Sequence, residues 1–227
     1  LPDARGVTAH PTATFGAAAN LVLGDHGAPS AGGFHLFLRD DLALAGTGVR
    51  RMVEAALEAN AGIVGPKVLD GHDFTLLDDM GAAVDRLGSP VPRVDPGEAD
   101  QGQHDGRLDV FASSEAAVMV RADLFTALGG FDVSICSPDG HVDLCWRARL
   151  AGASTLLVPT AVGRHLGGPS VRRRRIHSDI IGPRHRLRMT LANRLGPRSF
   201  AVLAESAAAT FLGLAYGLLA GRFRLVW

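Results

Sequence analysis

The feature that most constrains the fold is a short apolar run, Phe34–Leu38, which ends abruptly in Arg39, Asp40 and Asp41. The run is too short for a helix, and its composition predicts a strand buried on both faces of an α/β sheet. Two adjacent carboxylates at the carboxyl end of such a strand are costly to bury unless they bind something, and ligands of open α/β sheets sit at that end. Oxygen ligands of this kind suit Mg²⁺ or Mn²⁺, which are usually shared with phosphates. The alternative is a loop whose acidic residues cap a helix at about residues 47–60.

The composition is that of one globular domain whose charge is unevenly distributed. The 227 residues, 47% apolar and 20% charged, suffice for a sizeable core. Residues 1–163 contain 11 Lys and Arg against 21 Asp and Glu, whereas residues 164–227 contain 12 Arg against two acidic residues. We expect the basic segment to face membrane lipid, nucleic acid or a diphosphate-bearing substrate. Nucleic acid is disfavoured, because the segment has few aromatic side chains to stack on bases.

Hydrophobic periodicity predicts alternating helices and strands along the rest of the chain. Apolar residues recur at helical spacing across 46–60, and a strand follows at 61–64, ended by Gly65-Pro66. The polar stretch 70–106 is predicted to contain one hairpin near 82–91. Helices are also predicted at 14–23, 121–132, 137–152 and 183–195, and strands at 116–120 and 155–159. This order of elements predicts an α/β domain.

Three short motifs in the second half of the chain add a specific resemblance. They are Gly129-Gly-Phe-Asp132, Asp143-Leu-Cys-Trp-Arg147 and His165-Leu-Gly-Gly-Pro-Ser170. Together with the acidic pair they resemble a family 2 glycosyltransferase of the inverting, bacterial cell-envelope type. The resemblance implies the GT-A fold, a mixed sheet flanked by helices, which is expected to be incomplete at its N-terminus here. It also implies transfer of a sugar from a nucleotide-diphospho-sugar to a glycan or lipid-linked acceptor, with inversion and with Mg²⁺ or Mn²⁺ as cofactor.

The same resemblance assigns donor-side roles to residues in three segments of the chain. Asp41 matches the aspartate that binds the metal and the diphosphate, and Asp40 lies next to it. His165 matches the histidine that returns to the metal or the diphosphate from the far side. Gly16 and Asn20 match a segment that lies beside the nucleotide.

The start of the 137–152 helix is predicted to carry the catalytic base. The family has Glu-Asp where this chain has Gly140-His141, and the second acid of that pair is the family's base. A histidine can take this role because it changes charge near neutral pH. Asp139, on the preceding turn, is the second candidate. Asp143 also belongs to the motif, but Arg147 four residues later suits it for a structural ion pair.

Two departures from the family pattern leave a second interpretation open. Arg39 stands where the family often has Asp or Asn, and Gly140-His141 replaces its acidic pair. A catalytically silent relative, serving as a binding or scaffold module in cell-envelope assembly, is therefore the alternative function.

On the acceptor side the resemblance assigns roles to three residues, Gly130, Trp146 and Arg147.

The sequence divides into a glycosyltransferase-like part, residues 1–170, and a basic helical and apolar segment, residues 171–227. Residues 199–220 are an apolar run long enough to span a bilayer, which takes about 20 residues, and the arginine-rich flank before it is typical of the cytoplasmic side. An interfacial amphipathic helix and a core helix are the alternatives. The two cysteines give no disulfide framework. We therefore expect this protein at the cytoplasmic face of the cell membrane.

Overall fold

The protein is an α/β structure built on one mixed sheet, as seen in a computed structural model. The structure describes residues 10, 13–25, 32–86, 88–106, 108–135, 139–166, 185–193, 204 and 208. The helices are α1 Phe15–Asp25, α2 Gly48–Glu58, α3 Ala122–Ala127 and α4 Asp139–Leu150, and residues 185–193 are also helical. The strands are β1 Phe34–Leu38, β2 Leu42–Leu44, β3 Ile63–Asp70, β4 Leu77–Asp79, β5 Ala82–Val84, β6 Pro90–Pro92, β7 Ala117–Arg121 and β8 Thr155–His165.

Six strands form the main sheet in the order β1-β7-β3-β8-β2, with β4 paired to β3. Strands β3 and β8 run parallel, whereas the β1–β7, β3–β7, β2–β8 and β3–β4 pairs are antiparallel. Strands β5 and β6 form a separate hairpin, which confirms the hairpin predicted near 82–91. The predicted mixed sheet flanked by helices is therefore confirmed.

The two faces of the sheet carry separate hydrophobic cores, because side chains alternate along each strand. On one face Ile63 of β3 and Val120 of β7 pack with Val142 and Leu144 of α4. On the other face the adjacent residues of the same strands, Val64 and Met119, pack with Met52 and Ala56 of α2. The helix predicted at 46–60 is thus present, and it covers one face while α4 covers the other.

The predicted burial of the first strand is wrong. The residues of β1 are half-buried and Leu38 is 43% exposed. Within the described part of the chain β1 lies at the end of the strand order, with β7 as its one neighbour. An apolar run therefore indicates a strand correctly here, but it does not distinguish a central strand from an edge strand.

The predicted strand end at Gly65-Pro66 is also wrong, because β3 continues to Asp70. The pairing with β8 shifts register between Pro66 and Lys67, and such an irregularity accommodates a proline that cannot donate to the ladder. A Cβ on Gly65 would come within 2.6 Å of the Ser113 Cβ, so this glycine allows a close approach of chains. Strand β8 likewise extends beyond the predicted residue 159, since its second half pairs with β2.

The C-terminal segment is described in part. Residues 185–193 are helical, in agreement with the helix predicted at 183–195. The predicted membrane segment at 199–220 lies outside the described residues, apart from two isolated positions. Across the helices that the structure describes, none combines the length and apolar character that crossing a membrane requires. The division of the chain at residue 170 stays a prediction.

Candidate functional site

A cavity of about 210 Å³ opens at the edge of the sheet where β8 ends and α4 begins. The parallel strands β3 and β8 end together, with Asp70 paired to His165, and β4 returns beside them. The apolar lining includes Met80, Pro90, Pro92 and Val94. The ionisable side chains that line the cavity are Asp78, Asp79, Glu115, His141 and His165. Two histidines that lie in separate motifs of the sequence therefore meet at one cavity.

His165 is buried between two carboxylates. Its Nδ1 lies 2.8 Å from an Asp78 oxygen and its Nε2 lies 3.3 Å from an Asp41 oxygen. The backbone supports this arrangement, because the Leu166 N–H donates to the Asp41 carbonyl at 2.7 Å. The structure therefore brings the two residues with a predicted metal role, Asp41 and His165, into direct contact.

Arg39 holds the same carboxylate from the other side. Its Nε donates to one Asp41 oxygen at 2.8 Å and its Nη2 donates to the other at 2.9 Å. Its Nη1 lies 3.6 Å from a Glu115 oxygen. The hydrogen bonds from Arg39 keep the pKa of Asp41 well below its usual range, and the Asp41 hydrogen bond in turn raises the pKa of Arg39. Asp40 is exposed and is not part of this contact.

His141 lies in the first turn of α4 and faces two acidic side chains. Its Nδ1 is buried and has no hydrogen-bond partner among the described residues. Asp79, which lines the same cavity, accepts the Gly81 N–H at 2.7 Å. Desolvation raises the pKa of Asp79, against the hydrogen bonds from Gly81 and Ser114 and the attraction of His141. An imidazole ring and a carboxyl that resists ionisation thus line one cavity, an arrangement suited to moving a proton.

Asp139, the second candidate base, is buried at 1% exposure. Neither of its oxygens has a hydrogen-bond partner in the part of the chain that the structure describes, and the Arg186 Nε lies 3.9 Å away. Burial raises the pKa of Asp139, and the attraction of Arg186 and His141 opposes that rise. The start of α4 therefore holds a carboxyl group that is costly to ionise, two residues before the cavity-lining His141.

Asp143 occupies a different environment on the inner side of α4. It accepts hydrogen bonds from the Arg147 Nε at 2.7 Å and from the Asn193 side chain at 2.9 Å. Arg147 also donates to the Leu128 carbonyl at 2.9 Å, and Trp146 packs edge-on against Phe111. These contacts tie α4 to its neighbours. The predicted catalytic role of Asp143 and the predicted acceptor roles of Trp146 and Arg147 stay predictions.

Gly16, Asn20 and Gly130 come together around the backbone of Phe131. The Asn20 side chain donates to the Phe131 carbonyl at 2.8 Å and accepts the Phe131 N–H at 3.0 Å. Gly130 has φ +76°, and a Cβ there would lie 2.6 Å from the Asn20 Oδ1. A Cβ on Gly16 would lie 2.8 Å from the Phe131 Cβ. The geometry gives these residues a role in joining α1 to the turn after α3, and their predicted donor and acceptor roles stay predictions.

The donor set does not fit a divalent ion in this arrangement. Both oxygens of Asp41 are engaged by Arg39. Within the described ranges no group of three or more His, Cys, Asp or Glu side chains is arranged to hold a metal ion. Mg²⁺ is often held by one or two carboxylates together with substrate phosphates, so Asp41 and His165 would suffice only if Arg39 moved away.

Sequence reasoning did not identify Asp78, Asp79 and Glu115 as site residues. The first two were seen only as part of a turn-rich stretch, although they repeat the pattern of adjacent acids at the end of a strand. Glu115 precedes β7, whose first residue pairs with Leu38 at the end of β1. That pairing, which the sequence does not predict, places Glu115 beside Arg39.

Comparisons with known proteins give a weak match. No protein-family model matches the chain. No curated protein matches it. Among solved structures it is similar to a chain described as GalNAc-T7 with UDP, GalNAc and Mn²⁺. The TM-score is 0.45 and the sequence identity is 13%, over 58% of this chain and 27% of that chain. A likeness this low, over about a quarter of the other protein, carries no conclusion about the activity of this chain.

Proposed function

We propose that the chain is a glycosyltransferase domain that moves a sugar, with inversion, from a nucleotide-diphospho-sugar to a glycan or lipid-linked acceptor. One observation carries the proposal. His141 and His165, which the resemblance to family 2 enzymes assigns separately, line one cavity, and Asp41, from a third segment, lies 3.3 Å from His165.

His141 is proposed as the base of this reaction. It lines the cavity, and its neighbours Asp79 and Asp139 attract a positive charge on its ring when they are ionised, which partly offsets the effect of burial on their pKa. Taking a proton from the acceptor hydroxyl would make the ring cationic, so these carboxyls stabilise the product of that step. The hydroxyl oxygen then attacks the sugar as the bond to the diphosphate breaks. In this proposal the departing diphosphate lies on the side of the cavity that His165 lines.

A divalent ion is the cofactor that the resemblance implies, and no step is assigned to it. The reason is the position of Arg39, which engages the carboxylate that the ion would need. Arg39 and His165 are the positively charged or chargeable groups nearest to Asp41, and in this proposal they face the diphosphate.

The second candidate function is a catalytically silent binding or scaffold module. Two observations favour it: Gly140-His141 in place of an acidic pair, and the closed ion pair between Arg39 and Asp41. A silent module would bind a sugar nucleotide or glycan without releasing nucleoside diphosphate. Binding and turnover therefore separate the two functions.

The test is a panel of nucleotide-diphospho-sugars incubated with membrane lipid and glycan extracts as acceptors, with release of nucleoside diphosphate as the signal. We expect His141→Ala to lower turnover by about 10²–10⁴-fold, the usual contribution of a general base. Nucleotide binding by His141→Ala should remain, because the base touches the acceptor, and His141→Asp should recover part of the rate. Full turnover by His141→Ala would move the base to Asp139, and binding without turnover by the parent chain would favour the silent module.

Membrane contact through residues 171–227, at the cytoplasmic face, is also a proposal. Its support is the arginine-rich stretch followed by the apolar run 199–220. A chain ending at Gly196 should lose sedimentation with anionic liposomes that the full chain shows. Equal sedimentation of both chains, or of neither, would contradict this part of the proposal.

A further inference from the structure

We infer that the Arg39 guanidinium occupies the place of a cation at the Asp41–His165 pair, so that this pair binds no divalent metal ion unless Arg39 is removed. The inference concerns ion binding alone. It therefore stands or falls independently of the proposed sugar transfer.

The contact between Arg39 and Asp41 is a two-pronged ion pair. The Nε and Nη2 of Arg39 each donate to a different oxygen of Asp41, at 2.8 Å and 2.9 Å. This is the geometry in which a guanidinium matches a carboxylate best. The two side chains are 25% and 21% exposed, so water screens the pair only in part.

The turn between β1 and β2 fixes this geometry. Arg39 donates its backbone N–H to the Ala116 carbonyl at 3.0 Å, and its own carbonyl accepts the Leu42 N–H at 3.3 Å. Asp41 in turn accepts the Leu166 N–H on its carbonyl. Because these hydrogen bonds fix the backbone at both residues, little conformational entropy is lost when the two side chains pair. Asp40, between them, remains exposed.

A latent metal site lies behind this pair. His165 approaches Asp41 at 3.3 Å through Nε2, while its Nδ1 contacts Asp78 at 2.8 Å. A carboxylate behind a histidine ligand is the usual means of orienting that ligand toward a metal. Asp41 and His165 would thus supply an oxygen and an oriented nitrogen, and the guanidinium stands where a cation would be needed.

Arg39 and a divalent metal ion compete for the two oxygens of Asp41. A neighbouring opposite charge changes the affinity of a carboxylate for a proton by about one to three orders of magnitude, and a metal ion competes for the same oxygens. Removing Arg39 should therefore raise the affinity for a divalent ion by roughly 10-fold to 1000-fold. Glu115, 3.6 Å from the Arg39 Nη1, is the alternative carboxylate for the displaced guanidinium when a metal is forced in.

The experiment measures Mn²⁺ alone, with no sugar nucleotide, by calorimetry and by electron paramagnetic resonance on the intact chain. We expect weak binding by the parent and binding at least about 10-fold tighter by Arg39→Gln. The gain should vanish in Arg39→Gln combined with Asp41→Asn, and in Arg39→Gln combined with His165→Ala. Arg39→Lys, which keeps the charge, should bind Mn²⁺ as weakly as the parent, and Arg39→Ala tests the same gain if Arg39→Gln does not fold.

The chain offers a matched control for the substitution. Arg121 and Asp123 are also two residues apart, and their two hydrogen bonds are likewise 2.8 Å and 2.9 Å long, but no histidine contact with Asp123 is seen among the described residues. Arg121→Gln should therefore gain no Mn²⁺ binding. The inference is overturned if Arg39→Gln binds Mn²⁺ no better than the parent, or if the parent already binds it tightly through Asp41.

Discussion

Asp143 provides the sharpest test of how the site is supported, because a structural and a catalytic role predict different outcomes. The residue is 2% exposed and holds two partners, Arg147 and Asn193. Asp143→Ala removes both hydrogen bonds at once. It also leaves the Arg147 Nε unpaired, beside an Nη2 that is buried and already lacks a hydrogen-bond partner among the described residues.

The expected cost follows from these contacts. A hydrogen bond to a charged group contributes about 1.5–3 kcal/mol and a neutral one about 1 kcal/mol. Removing one partner of a buried ion pair costs about 3–5 kcal/mol, and the lower end applies because Arg147 is partly exposed. We therefore expect a loss of about 3 kcal/mol in the free energy of unfolding. For a chain of this size that lowers Tm by roughly 6–12 °C.

Thermal and urea unfolding followed by circular dichroism measure this loss, and nucleotide binding below Tm shows whether the folded site remains. Asp123→Ala is the matched control, since its pair with Arg121 has a contact of 2.8 Å, close to the 2.7 Å of the Asp143–Arg147 pair, but is exposed. Such surface pairs contribute about 0–1 kcal/mol. An Asp143→Ala variant that keeps the parent's Tm but loses turnover would refute the structural assignment.

Three further predictions concern other parts of the chain. Gly130→Ala should lower the free energy of unfolding by about 2–4 kcal/mol, because the strain of a positive φ adds to the clash with Asn20. Gly129→Ala has a similar φ but open space around the added Cβ, so it should lower the free energy of unfolding by only about 1–2 kcal/mol. Urea unfolding compares the two variants. Lys67→Met should lower stability by about 2–4 kcal/mol, since it leaves two aspartates without their buried cation, and a Tm equal to the parent's would contradict this. Burial raises the pKa of Asp139, so the carboxyl keeps its proton to a higher pH in the folded state than in the unfolded chain. The stability that this group contributes is therefore present at low pH and is lost as the pH rises through its folded pKa. Asp139→Asn should therefore raise Tm more at about pH 8 than at about pH 4, and a gain independent of pH would contradict the burial argument.

Local patterns predicted the elements of this fold more successfully than their surroundings. The spacing of Met52 and Ala56 predicted α2, and the turn residues between Val84 and Pro90 predicted the hairpin. Both predictions depend on neighbours along the chain. The burial of β1 depends instead on which strand lies beside it, and an apolar run carries no information on strand order.

In the candidate site, too, features set by local sequence were predicted, whereas features set by the pairing of distant segments were not. The motifs singled out His141 and His165 as site residues, and both line the cavity, while the roles assigned to them stay predictions. The pairing of Arg39 with Asp41 was not predicted, because its two-residue spacing in a turn has no fixed side-chain geometry before the turn is known. Asp79 lies at the site because β4 pairs with β3, and the sequence does not predict that pairing.

The central claim is that the cavity between His141 and His165 is where a sugar is transferred. The most direct measurement is a crystal structure of the chain with a nucleotide-diphospho-sugar chosen from the turnover panel. We expect the sugar inside the cavity, with its anomeric carbon facing His141 and its diphosphate on the side of His165 and Arg39. A donor bound anywhere else on the chain, with the cavity left to solvent, would contradict the proposed sugar transfer in this cavity.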